Sequence, residues 1–515
     1  VELDLAGEFL LPEGAEEPTL RVAGQARADL AALAAFLPHP PRLPAGAQIK
    51  GGLLTLSGEW SRAPALARVR AEAAIERLDF TARDQRVLLD GPVTLALTAG
   101  RSPQGLRVER FILDSPFGRI AAAGTAEDFE CALSADVTRL ATEARKFAPG
   151  IGASAQGRAE ARLRVTSPEA RCRRAEMRLD LGDFLLSSLT RKPLAFRSVT
   201  FTGAATAELD DAGRFTGARE ISGAFTAPAV ALAFSAARLN PRTPEHPFPA
   251  LSGGRMTIEG DLAEALTLAQ GGGVLPKAVE IRGGFRLDSD LELADGILRA
   301  ETLELALGEI AFALMEQRVV EPKVLFRAHG LEAEPAARRF ALREAELETS
   351  WATTRLDDIR AEDWAAFPRG FAGRARMDLN LDRVKEILRR IDLLPARFDV
   401  TGQVQASARI TPGPEIPRLS VSLVANDLKL LMENQPSVDE KRASLDLDRL
   451  WTGPDGLTAG TVTIASTYFS LSGRGRLNLA SAPAELETEG ALVLDFDRIG
   501  PLAARWLRRP LTLSG

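Results

Sequence analysis

Apolar and polar residues alternate along most of this chain. The clearest runs are LLTLSG (53–58), PVTLALTA (92–99), AEARLRV (159–165), VALAFSA (230–236), GGFRLDSDLEL (283–293), GQVQASARI (402–410), RLSVSLVA (418–425) and GRGRLNLA (473–480). Successive side chains of a strand point to opposite faces, so each run predicts a strand with one apolar and one polar side. Gly, Pro, Asp and Asn separate the runs at the spacing of an antiparallel meander.

Helical spacing is rare. DLAALAAFL (29–37), DVTRLATEARKF (136–147), DRVKEILRRI (382–391) and DRIGPLAARWL (497–507) place apolar residues on one helical face. Each opens on an aspartate that predicts an N-cap: Asp29, Asp136, Asp382 and Asp497. An alternating strand runs into each one. The pattern predicts a degenerate repeat of strand, short helix and returning strands.

A second phrase recurs: a strand, a small turn and a Gly-ended strand. It stands at RFILDSPFGRIAAAG (110–124) and TVTIASTYFSLSGRG (461–475), and more weakly at ETLELALGEIAFAL (301–314). Breaks are modest. The Pro-rich stretches 240–254 and 411–417 and the Gly-rich 271–276 read as loop interruptions in one continuous repetitive segment spanning 1–515. About thirty strands stacked at ~4.8 Å would make a rod of ~140 Å. The chain opens and stops on strand-like runs and shows no signal peptide, so it reads as a segment of a longer protein.

Composition narrows the chemistry. With 45% hydrophobic and 26% charged residues the chain can fold. The net charge of -6, with both signs interspersed, argues against nucleic acid as a partner. Two cysteines, Cys131 and Cys172, and three histidines make a metal site unexpected; two unpaired thiols are expected, with a disulfide as the alternative. His39 and His246 lie beside prolines and read as loop residues. GIGASAQG (150–157) lacks dinucleotide-binding spacing and reads as a turn, and no P-loop, GxSxG or HExxH motif occurs. Asp446 with Asp448, and Asp495 with Asp497, share strand faces by spacing but have no convergent base, and Arg171, Arg173 and Arg174 read as charged surface. No catalytic residue, metal or cofactor is expected, and the chain is read as not an enzyme.

A sheet with one long apolar face must cover it. Two stacked sheets or a barrel would do so, giving a structural or adhesive β-repeat protein with a closed core. An open trough would leave the face to apolar ligands. RADLAALAAFLP followed by GGLLTLSGEW, together with RFILDSPFGRIAAAG, resembles the repeats of the AsmA-like family, which includes the TamB and YhdP types. The resemblance implies an all-β fold with a few short helices: a long twisted antiparallel sheet curled into a U-shaped hydrophobic groove. It also implies the periplasm of a diderm bacterium, anchoring in the inner membrane through a segment absent here, and carriage of phospholipids toward the outer membrane. Partners would be phospholipids and, through segments outside this one, the membranes or their proteins.

Under that reading the apolar parity of the clearest strands lines the groove: Leu54, Leu56, Val93, Leu95, Leu97, Leu163, Val165, Leu232, Phe234, Leu303, Leu305, Leu419, Val421, Leu423, Leu492 and Leu494. The alternative for each is an ordinary core position.

Overall fold

The computed structural model describes residues 2–10, 19–36, 47–63, 66–82, 85–89, 91–103, 105–147, 153–188, 191–242, 247–271, 281–314, 317–366, 370–390, 394, 398–412, 418–432, 438–453, 456–478 and 485–507. They form thirty strands and five short α-helices, and fall into two compact units. One unit comprises Val1–Asn240 with Thr267–Leu275; the other comprises Pro241–Leu266 with Pro276–Gly515.

The first unit contains β1 (Glu2–Leu10), β2 (Thr19–Asp29), α1 (Leu30–Phe36), β3 (Ala47–Ala63), β4 (Leu66–Ala82), β5 (Gln85–Leu88), β6 (Val93–Ser102), β7 (Gly105–Ser115), β8 (Gly118–Thr125) and β9 (Asp128–Asp136). It continues with α2 (Val137–Phe147), β10 (Ala153–Thr166), β11 (Cys172–Ser188), β12 (Arg191–Leu209), β13 (Phe215–Ala227) and β14 (Val230–Asn240). Every sequential neighbour pairs antiparallel, with β6 following β4 in the sheet. The short β5 pairs only with the far end of β4 among the described residues. The strand order does not return to β1, so this sheet is not a closed barrel.

The second unit begins with β15 (Ala250–Asp261), from which α3 (Leu262–Gly271) departs. Then come β16 (Ile281–Arg282), β17 (Gly284–Ala294), β18 (Ile297–Leu307), β19 (Ile310–Leu314), β20 (Gln317–Glu321), β21 (Val324–Glu334), β22 (Arg339–Glu348), β23 (Ala352–Ala361) and β24 (Phe371–Asn380). Helix α4 (Leu381–Arg390), β25 (Phe398–Thr411), β26 (Arg418–Met432), β27 (Val438–Gly453), β28 (Gly456–Ala465), β29 (Phe469–Asn478), β30 (Glu485–Leu494) and α5 (Phe496–Leu507) complete it. β15, β17, β18 and β21 through β30 form an antiparallel meander, and β16, β19 and β20 form a small separate sheet. The meander within each unit therefore has thirteen rungs, about 60 Å across at ~4.8 Å per strand. Fewer rungs stack than the strand total suggests, because the four short strands do not extend the meanders.

A repeat is visible along the chain. Setting the four short strands aside, each of the first four helices is followed by six strands before the next helix. An even number of antiparallel strands returns the chain to the same end of the sheet. In the first unit α1 and α2 therefore leave from one rim, and in the second α4 and α5 do. A glycine stands 21 to 23 residues beyond the cap (29 to 52, 136 to 157, 261 to 283, 380 to 402), within the strand after the helix in three cases and just before β17 in the other. These glycines have φ between 121° and 141°. A Cβ at Gly157 or Gly402 would stand 2.7 Å or 2.9 Å from a backbone oxygen of the next strand. Only glycine allows this kink, and the facing strand turns there too, at Arg77, Asp183 and Asp427, with φ near 50°. Past the kinks the strands run on, and the helix packs over that extension: α1 on β3, α2 on β10, α4 on β25.

The caps partly differ from expectation. The Asp29 carboxylate accepts from the Ala32 amide and that of Asp136 from Arg139, as the sequence predicts. Helix α4 is capped by Asn380 and α5 by Asp495; Asp382 and Asp497 lie in the first turns. The helices start two residues earlier because a capping oxygen stood there already. Helix α3, capped by Asp261, was not anticipated, since DLAEALTLAQ is too evenly apolar to show a face. Residues 153–157 of GIGASAQG belong to β10 and not to a turn. The phrase at 301–314 is the β18–β19 junction, a different place in the repeat from the β7–β8 and β28–β29 hairpins.

Buried apolar side chains are mostly alanines; the larger ones among the described residues are Phe80, Leu325, Leu342, Leu450 and Val462. Two small clusters form, one around Ala328, Leu342 and Ala345, the other around Leu450 and Val462. Each lies on one side of the second unit's sheet.

Candidate functional site

Residues directly opposed on neighbouring strands share a face, so register connects side chains across a sheet. In the first unit one such row runs Ala26, Leu56, Ala73, Leu95, Leu113, Ile120, Leu133, Ala161, Leu179, Phe201, Phe225, Leu232. Every member is apolar across twelve strands. The adjacent row runs Ala71, Leu97, Phe111, Ala122, Cys131, Leu163, Met177, Gly203, Gly223, Phe234. Leu54 and Val93 meet through Ile75 in a third row, and Val165 stands between Phe129 and Ala175 in a fourth. All nine positions singled out in this unit therefore share one face.

The second unit repeats the arrangement. Its row runs Ile258, Leu287, Leu305, Phe326, Leu347, Thr354, Met377, Ala406, Leu423, Leu445, Ile464, Leu471, Leu492. Thr354 alone is polar. Leu303 and Val421 lie in the next row, Leu419 opposes Ile410 and Leu450, and Leu494 opposes Phe469. Leu303, Leu419 and Val421 pack into the two clusters and are the most core-like of the set. Others remain open: Leu56 is 40% exposed, Leu133 37%, Met177 44%, Leu347 37% and Leu492 57%.

The sequence missed the residues that complete these rows, among them Leu113, Met177, Phe201, Phe225, Phe326 and Ile464. Met177, Phe201 and Ile464 stand at alternating positions and are legible by parity; the strands of the others alternate less cleanly. In FILDS, for example, Ile112 and Leu113 are both apolar, and only register puts Leu113 beside Leu95 and Ile112 beside Ala96 on the other side.

The opposite face is charged and internally paired. Across the strands Asp180 pairs with Thr200, Glu304 with Arg327, and Glu346 with Arg355. Arg178 donates to Asp180 at 2.7 Å, Arg286 to Asp288 at 2.6 Å, and Arg327 to Glu304 at 3.2 Å. The hydrogen bonds from Arg178 and Arg286 hold the Asp180 and Asp288 carboxyls below their ordinary range, against a smaller desolvation in the other direction. These exposed pairs stabilise weakly, but they mark the side that faces water. Open depressions on this side, such as that bounded by Gln25, Ser57, Glu59 and Arg70, are lined by groups of the same kind.

Chemistry-bearing residues do not converge. No group of three or more His, Cys, Asp or Glu among the described residues is placed to hold a metal. Cys131 and Cys172 are free thiols; Cys131 lies in an apolar row and Cys172 is buried near Glu169 and Arg219. His39 and His246 fall outside the described residues. Asp448 accepts from the Ser420 hydroxyl, while Asp495 and Asp497 sit at the start of α5 and not on a strand. Arg171 pairs with Asp211 and Arg174 with Glu176. No described helix is long and apolar enough to cross a membrane. No protein-family model matches the chain, and no curated protein matches it.

Proposed function

We propose that this chain is a non-enzymatic lipid carrier of the AsmA-like kind, in which the apolar face of each sheet forms the inside of a U-shaped groove for phospholipid acyl chains. The observation that carries the reading is the continuity of the apolar rows over twelve and thirteen strands while their larger members stay partly exposed. An ordinary core would seal such residues. An acyl chain in water costs ~0.8 kcal/mol per CH₂, or on the order of 10 kcal/mol in all, and a Leu- and Val-lined surface removes most of that. A lipid moving from a bilayer to this surface exchanges one apolar setting for another, which suits a conduit between membranes. The periplasm, and an inner-membrane anchor outside this segment, complete the proposal.

The test is mass spectrometry of the chain purified without detergent. Co-purified phospholipid, lost when Leu56 and Leu95 become aspartate in a folded variant, is the expected result. A folded, lipid-free protein that takes up no lipid from vesicles would favour the closed-core β-repeat alternative instead.

A further inference from the structure

On the helix-free side of the kinks, from β2 to β11, charge on the apolar face is nearly absent, and where it occurs it has one sign and one place. There the charged residues in apolar-face register are Arg62, Arg101 and Arg173. Each lies one position beyond the row that contains Trp60, Val69, Ala99, Val165 and Ala175, at the rim opposite α1 and α2. Arg62 and Arg101 both oppose Ala67, one from each side, so two guanidinium groups flank a residue too small to fill the space between them. The two strands stand about 10 Å apart. Both arginines are exposed, and among the described residues neither side chain is hydrogen-bonded or ion-paired. On the other face of β4, the strand between them, Arg68 pairs with Glu109 of β7, and Arg70 with Glu72.

From Val93 to Ala99 the apolar band on β6 measures about 20 Å at ~3.3 Å per residue, against about 15 Å for one leaflet of a bilayer's hydrocarbon core. An acyl chain laid along the strands, with its tail toward the helices, brings its head to the arginine rim. Guanidinium forks match phosphate oxygens in geometry and charge.

We propose that Arg62 and Arg101 hold the phosphate of a phospholipid head group at the helix-free rim, with Arg173 a further contact along it. The proposal rests on the lipid reading above. Its test measures uptake of two fluorescent-acyl lipids: phosphatidylglycerol, and a diacylglycerol that has the same tails and no phosphate. Wild type is compared with the Arg62→Ala/Arg101→Ala double variant. Loss of a charged contact of this kind predicts about a tenfold fall in phosphatidylglycerol uptake, with diacylglycerol unchanged and partial recovery in Arg62→Lys/Arg101→Lys. Equal loss of both lipids, or of neither, would overturn the head-group site. Full competition by inorganic phosphate at millimolar concentration would overturn it in favour of a free-anion site. Wild type taking up neither lipid would sink the underlying lipid reading instead.

Discussion

The main-chain amide of Asp136 donates to the carbonyl oxygen of Phe117 over 2.9 Å. The same bond recurs from Asn380 to Trp351 and from Asp495 to Tyr468, at 3.0 Å in both cases. Each acceptor lies in the turn between the fourth and fifth strands after a helix, and each donor caps the next helix. Arg139 and Arg498, three residues past their caps, reach the preceding carbonyls of the same turns, Pro116 and Thr467. The cap thus serves two elements: it satisfies the first helical amides and pins the helix to a hairpin. Asp136→Ala should lower stability by about 1 kcal/mol, read as a fall in urea midpoint, and Asp136→Asn should recover most of it.

In the later repeats a buried carboxylate reaches that turn, from the end of the short β20 in one case and from β27 in the other. Glu321 accepts from the Ser350 amide at 2.7 Å and its hydroxyl at 2.8 Å, and Glu440 accepts from the Thr467 amide and hydroxyl. Both are nearly inaccessible. Glu440→Leu strands an amide and a hydroxyl and should cost about 1–3 kcal/mol, with Glu440→Gln nearer the lower end. Denaturant unfolding checks it, and a loss equal for both variants would count against the bond geometry.

Helix α4 is tied to β25 by Lys385 and Arg389, which meet the Asp399 carboxylate at 2.9 Å and 3.2 Å. The Lys385 hydrogen bond holds Asp399 below the ordinary carboxylate range, and the same bond holds Lys385 above the ordinary amine range. The Asp399 contribution is present above its unfolded pKa of about 3.9 and is lost as pH falls through the lower folded value. The Lys385 contribution is present below its unfolded pKa of about 10.4 and is lost as pH rises through the higher folded one. Asp399→Asn should therefore cost about 1 kcal/mol at neutral pH and little at pH 2. A loss that stays constant with pH would assign the effect to packing.

The glycine kinks set where each sheet ends and its helix-covered extension begins. Gly157→Ala and Gly402→Ala place a methyl within 3 Å of backbone oxygens at φ above 120°, and each should cost about 1–3 kcal/mol. Gly182→Ala, where a Cβ would meet nothing within 4 Å, is the matched control and should be close to neutral.

Strand alternation made the β class and the shared face of Leu56, Leu95 and Leu163 readable, because parity needs only local spacing. Four helices were readable because an aspartate precedes a faced apolar run. The rows themselves were not readable. Which residue of β6 opposes which of β7 depends on a bulge at Glu109, and nothing in RVERFILDS announces it. The six-strand repeat was hidden for a related reason: its fixed points are single glycines and caps some 22 residues apart, embedded in sequence that otherwise varies. The arginine rim follows only when Arg62, Arg101 and Arg173 are aligned across eight strands.

The central claim is that one side of these sheets stays open to acyl tails. Photo-crosslinkers placed in cells at Leu56, Leu95 and Leu423 are predicted to yield lipid adducts, while those at Thr55, Thr94 and Ser422, on the charged side, yield none. Equal labelling at both parities, or labelling of protein alone at the first three, would contradict the account.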